Sequence, residues 1–162
     1  MNKIQVCSFK DKLDNSAIVI NVTSRSTTWH QTFSPFFLGP VELWDGRKAY
    51  NVENAWQYSK VYDEHIGQLG KPNHEWWDWS TNGFNSKRAE RYPMGKGRHP
   101  CFSWWNDNPQ DYLEARKKIY IPLYSLAVLN DTYYKEDSFK KLVNECKTLL
   151  EQGKEIYFWD FD

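Results

Sequence analysis

The run YNVENAWQYSK, residues 50–60, sets Glu53, Gln57 and Lys60 into a largely apolar and aromatic stretch. On a helix these positions are i, i+4 and i+7 and share one face, while Val52, Ala55, Trp56 and Ser59 make a neighbouring face able to turn inward. Asn51 is placed to cap such a helix, which puts Glu53 in the first turn, where the helix dipole favours the ionised carboxylate. A carboxylate so placed suits a general base or an electrostatic stabiliser better than an acid. A solvated stripe of helix-stabilising pairs is the alternative for the same three residues.

A second candidate is SKRAERYPMGKGRHP, residues 86–100, which carries Lys87, Arg88, Arg91, Lys96 and Arg98 against one acid, Glu90. Glycines flank Lys96. Such a segment either holds a phosphate through guanidinium forks and exposed amides or forms a solvated basic loop. CFSWW follows directly, so Trp104 and Trp105 either offer a ring face beside that loop or anchor it in the core. The chain has nine Trp, ten Tyr and nine Phe. These supply both core volume and flat faces for a nucleobase, and composition does not separate the two uses.

The elements that must position these groups follow from local pattern. KIQVCSF (3–9) and AIVINVT (17–23) are short and rich in β-branched residues, with the polar KDKLDNS between them, and read as a hairpin or two edge strands. Residues 26–50 mix Gly and Pro with aromatics, as extended segments joined by turns do, with WDGR as one turn. The helix capped by Asn51 is expected to run from Val52 to His65. From Gly67 to Ser103 the chain is least regular, with short helices expected around HEWWDWS and SKRAER and a loop at YPMGKGRHP. Asn108-Pro109 resembles a cap with proline in the first turn, opening QDYLEARKKIYI, which Pro122 should stop or kink before LYSLAVLN resumes it. The clearest helix is Ser138–Gln152, where Phe139, Leu142, Val143, Cys146, Leu149 and Leu150 form one stripe and Gly153 ends it. EIYFWDFD reads as a final strand ending on acids. The expected fold is a predominantly helical α+β single domain over residues 1–162, with a small N-terminal antiparallel β element and a C-terminal strand.

Composition excludes several classes of function. Acidic and basic residues balance at 21 each, so no global positive field collects nucleic acid and any polyanion contact must be local. Cys7, Cys101 and Cys146 are odd in number and widely spaced, which argues against a disulfide framework or zinc site and suits a reducing cytoplasm. His30, His65, His74 and His99 show no ligand spacing. No metal or cofactor is expected. G-x-S-x-G and Walker patterns are absent, and no segment approaches the apolar length of a membrane span.

The order of motifs resembles a known family. FSPFFLGPVELWDGRKAYNVENAWQYSK is similar to the opening of the NADAR (YbiA-like) family, roughly F-S-N-F-x-P-x-P, a hairpin with D-G, then V-E-H-A-x-Q-x-x-K. Phe33, Ser34, Phe36 and Pro40 keep that spacing, Asp45 and Gly46 supply the turn, and Val52, Glu53, Ala55, Gln57 and Lys60 fall on the helix motif. Gly97-Arg98, a tryptophan at Trp104 or Trp105, a helix bearing Arg116 and an acid-ended strand follow in the same order, so the resemblance covers about residues 29–162. Pro35, Leu38 and Asn54 depart from it, standing where the pattern has asparagine, proline and histidine, and the family's late tryptophan-glycine pair has no counterpart. The phrases WQYSKVY and YPMGKG are also similar to uncharacterised phage-encoded proteins.

The resemblance implies an N-glycosidase acting between a base and a ribosyl or ADP-ribosyl group, in the cytoplasm, on a nucleotide-like small molecule, an ADP-ribosylated base or a nucleic acid. It implies Glu53 as catalytic carboxylate and a substrate site made by Ser34, Phe36, Gln57, Lys60, Arg88, Lys96, Arg98, Trp104, Trp105 and Asp160. In this assignment Phe36, Trp104 and Trp105 stack the base, while Arg88, Lys96 and Arg98 take phosphate. The departures leave a second reading, a non-catalytic module binding a nucleotide, single-stranded nucleic acid or host protein. Asp160 and Asp162 converging with Glu53 on magnesium is the alternative to a metal-free mechanism.

Overall fold

The computed structural model describes residues 3–130 and 137–160. The β-branched runs form β1 (Ile4–Ser8) and β2 (Ile18–Asn21), and a 3-10 turn at Trp29–Phe33 leads to a short hairpin of β3 (Val41–Glu42) and β4 (Lys48–Ala49). WDGR is its turn: the Leu43 amide donates to the Arg47 carbonyl at 2.7 Å, and Gly46 sits at φ +84°, where glycine has no steric penalty.

Helix α1 covers only Val52–Gln57. Asn51 caps it as expected, its side-chain oxygen accepting from the Asn54 amide at 2.8 Å. The helix does not reach His65, because Lys60–Val61 (β5) pairs antiparallel with β6 (Phe102–Trp105). Backbone pairing with a distant strand has overridden the local helical pattern. Helix α2 (His74–Phe84) is longer than expected, whereas SKRAER forms no helix.

Strand β6 turns through Asn106 and Asp107, at φ +52° and +59°, into β7 (Asn108–Gln110). Asn108-Pro109 therefore lies in a strand, and Asp111 caps the next helix by accepting from the Glu114 amide at 2.9 Å. That helix runs unbroken through α3 (Tyr112–Ala115), a π-helical turn at Arg116–Tyr120, and α4 (Ile121–Leu129). Pro122 does not stop it. Proline lacks the amide donor and crowds the preceding turn, and the wide turn directly ahead of it accommodates both defects. Helix α5 (Ser138–Glu151) follows its expected stripe and ends before Gly153, at φ +73°.

The last strand, β8 (Ile156–Asp160), lies between β1 and β2 and is parallel to both. The N-terminal strands are thus two edges of one parallel sheet, and the expected N-terminal antiparallel element does not form. The register aligns Ile4, Ile156 and Ile18, and likewise Val6, Phe158 and Ile20; Ile156 and Ile20 are buried while Ile4 and Val6 stay exposed, so the core contact is made by β8 and β2, and β1 adds an edge. Helices take 39% of the chain and strands 19%, which makes the domain α+β without a helical majority. The larger core packs Leu38, Val52, Ala55, Trp56 and Phe84 against Ala115, Ile119 and Leu123. A smaller one joins the parallel sheet to α5 through Ile20, Phe33, Leu142, Cys146 and Ile156. Among the described residues no helix is long and apolar enough to cross a membrane.

Candidate functional site

A cavity of about 690 Å³ opens between the two cores, lined by Ser34, Pro35 and Phe36, by Glu53, Trp56 and Gln57 of α1, and by Phe158 and Asp160 of β8. Val6, Val22, Thr23 and Ser24 contribute from the sheet side, and Tyr112, Arg116, Tyr120 and Tyr124 from the long helix. Arg91 and Tyr92 close the rim. Its volume lies in the range of pockets that enclose a drug-sized ligand.

Glu53 is 6% exposed. Gln57 Nε2 donates to its Oε1 at 3.0 Å, and Lys60 Nζ donates to Gln57 Oε1 at 2.9 Å, so the lysine fixes which way the amide faces and the amide orients the carboxylate. The Glu53 amide is anchored on the Pro35 carbonyl at 3.0 Å. Burial pushes the Glu53 carboxyl above the usual carboxylate range, against the opposing pull of Gln57, Arg91 and Lys60. The first-turn placement that favours the ionised form is thus opposed by burial, which raises the carboxyl. Lys60 is pulled below the ordinary lysine range, first by burial and then by Arg116, with Glu53 opposing. It does not line the cavity, and acts on it through Gln57.

The facing wall has a spacing of four: Tyr112, Arg116, Tyr120 and Tyr124. On an ordinary helix of 3.6 residues per turn that spacing drifts about 40° at each step. The π-helical turn at Arg116–Tyr120 winds more slowly and offsets part of that drift, and all four side chains line the cavity. The Arg116 guanidinium lies 5.0 Å from the Tyr120 ring centroid and 6.0 Å from that of Tyr112, and Tyr120 stacks on Tyr124 at 6.0 Å. Tyr124 donates its hydroxyl to the Phe33 carbonyl at 2.8 Å, and burial pushes its pKa up to about 12, with Asp160 adding to the shift. Tyr120 is raised further, by burial first and by Glu53, Tyr124 and Asp160. Two carboxylates, Glu53 and Asp160, thus act on one tyrosine.

Asn54 ties the basic segment to α1. Its Nδ2 donates to the carbonyls of Ser86 and Arg88 at 3.1 and 2.9 Å, and its Oδ1 accepts from the Glu90 amide at 2.9 Å. This buried amide stands where the resembled motif has histidine. It brings Arg91 over the Phe36 ring at 5.3 Å.

The chain belongs to the DUF6939 family. The family model, described as a family of unknown function, matches residues 2–162. No curated protein and no solved structure matches.

In this DUF6939 member the cavity gathers Glu53, Ser34, Phe36, Gln57 and Asp160 from the set expected in sequence. Arg88 lines a different cavity, which shares Phe36 with the main one. Lys96, Arg98, Trp104 and Trp105 are not brought to the main one. Arg98 pairs with Glu64 at 2.7 Å and lies over the Tyr62 ring. Trp104 is buried against Val61 and Trp76, because β6 is the central strand of its sheet, and Trp105 packs on Trp44 at 4.9 Å. Among the described residues no three His, Cys, Asp or Glu side chains converge to hold a metal. Asp162, considered as a magnesium ligand, lies outside the described residues. Sequence reasoning missed Arg91 and the tyrosine–arginine wall as site residues. The repeated spacing of four was the available signal, but an ordinary helix would have scattered it.

Proposed function

We propose that this chain hydrolyses the N-glycosidic bond between a base and a ribosyl or ADP-ribosyl group. The observation that carries the proposal is the buried, amide-oriented Glu53 carboxylate in the wall of a cavity that also holds Arg91, Arg116 and several aromatic rings. Breaking the C1′–N bond leaves the electron pair on the base nitrogen and builds positive charge on the ribose ring, which a nearby carboxylate stabilises. Water attacks C1′ and gives its proton to Glu53, while the departing base takes a proton from solvent. A raised pKa makes Glu53 a stronger base, and a value closer to the working pH suits proton transfer. Arg91 and Arg116 act as guanidinium partners for phosphate oxygens, and the tyrosine wall offers the base a stacking surface.

The test is a panel of ribosylated and ADP-ribosylated bases assayed for released base and free ribose. Glu53→Gln keeps the side-chain shape and is expected to lower turnover about a hundredfold or more while ligand binding stays nearly unchanged. Full activity in the variant overturns Glu53 as the catalytic group. Binding without turnover across the panel in the wild type favours a non-catalytic nucleotide module.

A further inference from the structure

Helix α4 (Ile121–Leu129) has no charged residue and is apolar on its outer side as well as its inner one. Leu123 and Ala127 are buried in the larger core, but Ile121, Leu126 and Leu129 are 52%, 56% and 55% exposed. A helix that is apolar all round belongs in an interior, and this one has only half of one. Pro122, Ser125, Leu126 and Leu129 stand at i, i+3, i+4 and i+7 of the outer face, so the small Ser125 lies among larger apolar neighbours. Beside this ridge runs a groove of about 220 Å³, walled by Gly39, Pro40 and Val41 on one side and by Leu126 and Asn130 on the other. Its one charge is Glu42.

We propose that the outer face of α4 is the interface of a symmetric dimer of this chain, in which the ridge of each copy fills the groove of the other. Ridge and groove lie side by side on one face, which is the self-complementarity that a two-fold interface requires. A two-fold runs the two helices antiparallel and sets the exposed Lys117 ahead of one helix near the Asn130 end of the other, where Glu42 supplies the opposite charge. Ser125 lets the backbones approach at the crossing. The amount of surface also fits a second copy. The chain exposes 10199 Å², about a fifth more than the roughly 8,500 Å² expected of a monomer of this mass. A standard interface removes only about 800 Å² from each partner, and the balance of 21 acidic and 21 basic residues leaves no net charge to repel a second copy. The inner side of the same helix carries Tyr124 and Val128 into the main cavity, so the dimer would cover the back of one cavity wall.

The test is the mass of the full chain in solution, by light scattering and sedimentation across the micromolar range, with reductant present because the Cys101 thiol is exposed. The wild type is expected to dimerise reversibly. Leu126→Glu and Leu129→Glu should each raise the dissociation constant at least about tenfold, since each buries a charge at the centre of the interface. Ser125→Arg keeps every apolar side chain and a good helix former, and should act in the same direction by blocking the close approach. Circular dichroism shows whether each variant folds, and the arginine variant decides the matter if a glutamate variant does not. Ile4→Lys, on the open edge of β1, should leave the dissociation constant within about twofold. A wild type that stays monomeric throughout the range overturns the proposal. A dimer that survives the α4 variants, or one that Ile4→Lys dissolves instead, overturns it too and moves the contact elsewhere. A monomer that sediments with phosphatidylcholine vesicles, and no longer does so as Leu126→Glu, would make the face a lipid contact and rule out the dimer.

Discussion

The two halves of the basic segment have similar composition and different fates. Residues 86–92 are pinned to α1 by the three hydrogen bonds of Asn54, and their cations line both cavities that share Phe36. Residues 95–100 carry the glycines expected to expose phosphate-binding amides, yet the guanidinium of Arg98 is engaged by Glu64, and the Cys101 thiol beside it donates to Asp63 at 2.9 Å. Glycine and charge alone do not make an anion site. A buried amide that fixes the backbone gives the first half its geometry, and nearby acids absorb the charge of the second.

The largest way to break this contrast is to remove the pin. Asn54→Ala leaves two carbonyls and one amide without their partner and should cost about 2–3 kcal/mol in denaturant unfolding, together with much of the affinity for a phosphate-bearing ligand. Arg91→Ala should weaken a phosphate-bearing ligand about tenfold while leaving its dephosphorylated counterpart nearly unchanged, as paired titrations would show. Equal losses for both ligands would make Arg91 a structural residue. Changing Arg98 to alanine should move either affinity by less than about twofold, since its charge is met by Glu64 at the surface.

Acidity sharpens the same comparison at Glu53. Because burial raises this carboxyl, the folded protein holds its proton more tightly than the unfolded chain does. The stability this contributes is present below the ordinary carboxylate range and is lost as pH rises through the folded value. Glu53→Gln removes that dependence, so urea midpoints should shift in favour of the variant as pH is raised across this window. In the wild type, turnover should fall as pH drops through the same raised value, giving an acid limb above the range of an exposed glutamate.

How much was legible in the sequence follows from the range of each interaction. The Asn51 cap, the WDGR turn and the α5 stripe are decided within a few residues, and all three are found where the sequence puts them. β1 and β2 are readable as edge strands from their β-branched residues, but not their pairing, since their shared partner is β8, at the far end of the chain. The end of α1 was hidden for the same reason, because β5 is made by β6. At the site, Glu53, Gln57 and Lys60 do meet, although by a different route: the lysine arrives from a strand, not from two turns along a helix. Trp104 and Trp105 were undecidable between stacking and core until β6 was seen to be a central strand.

The position of β8 also sets a timetable. Its residues are synthesised well after the two strands between which they lie, and Phe158 and Asp160 form part of the main cavity. On a ribosome β1 and β2 emerge long before the strand that joins them, so both must wait with unpaired backbone edges. The sheet is closed by threading its centre, a contact of very long sequence separation that slows assembly. The wall of the main cavity is therefore completed only when β8 has entered between its two neighbours, which ties the assembly of the cavity to the last pairing step of the sheet.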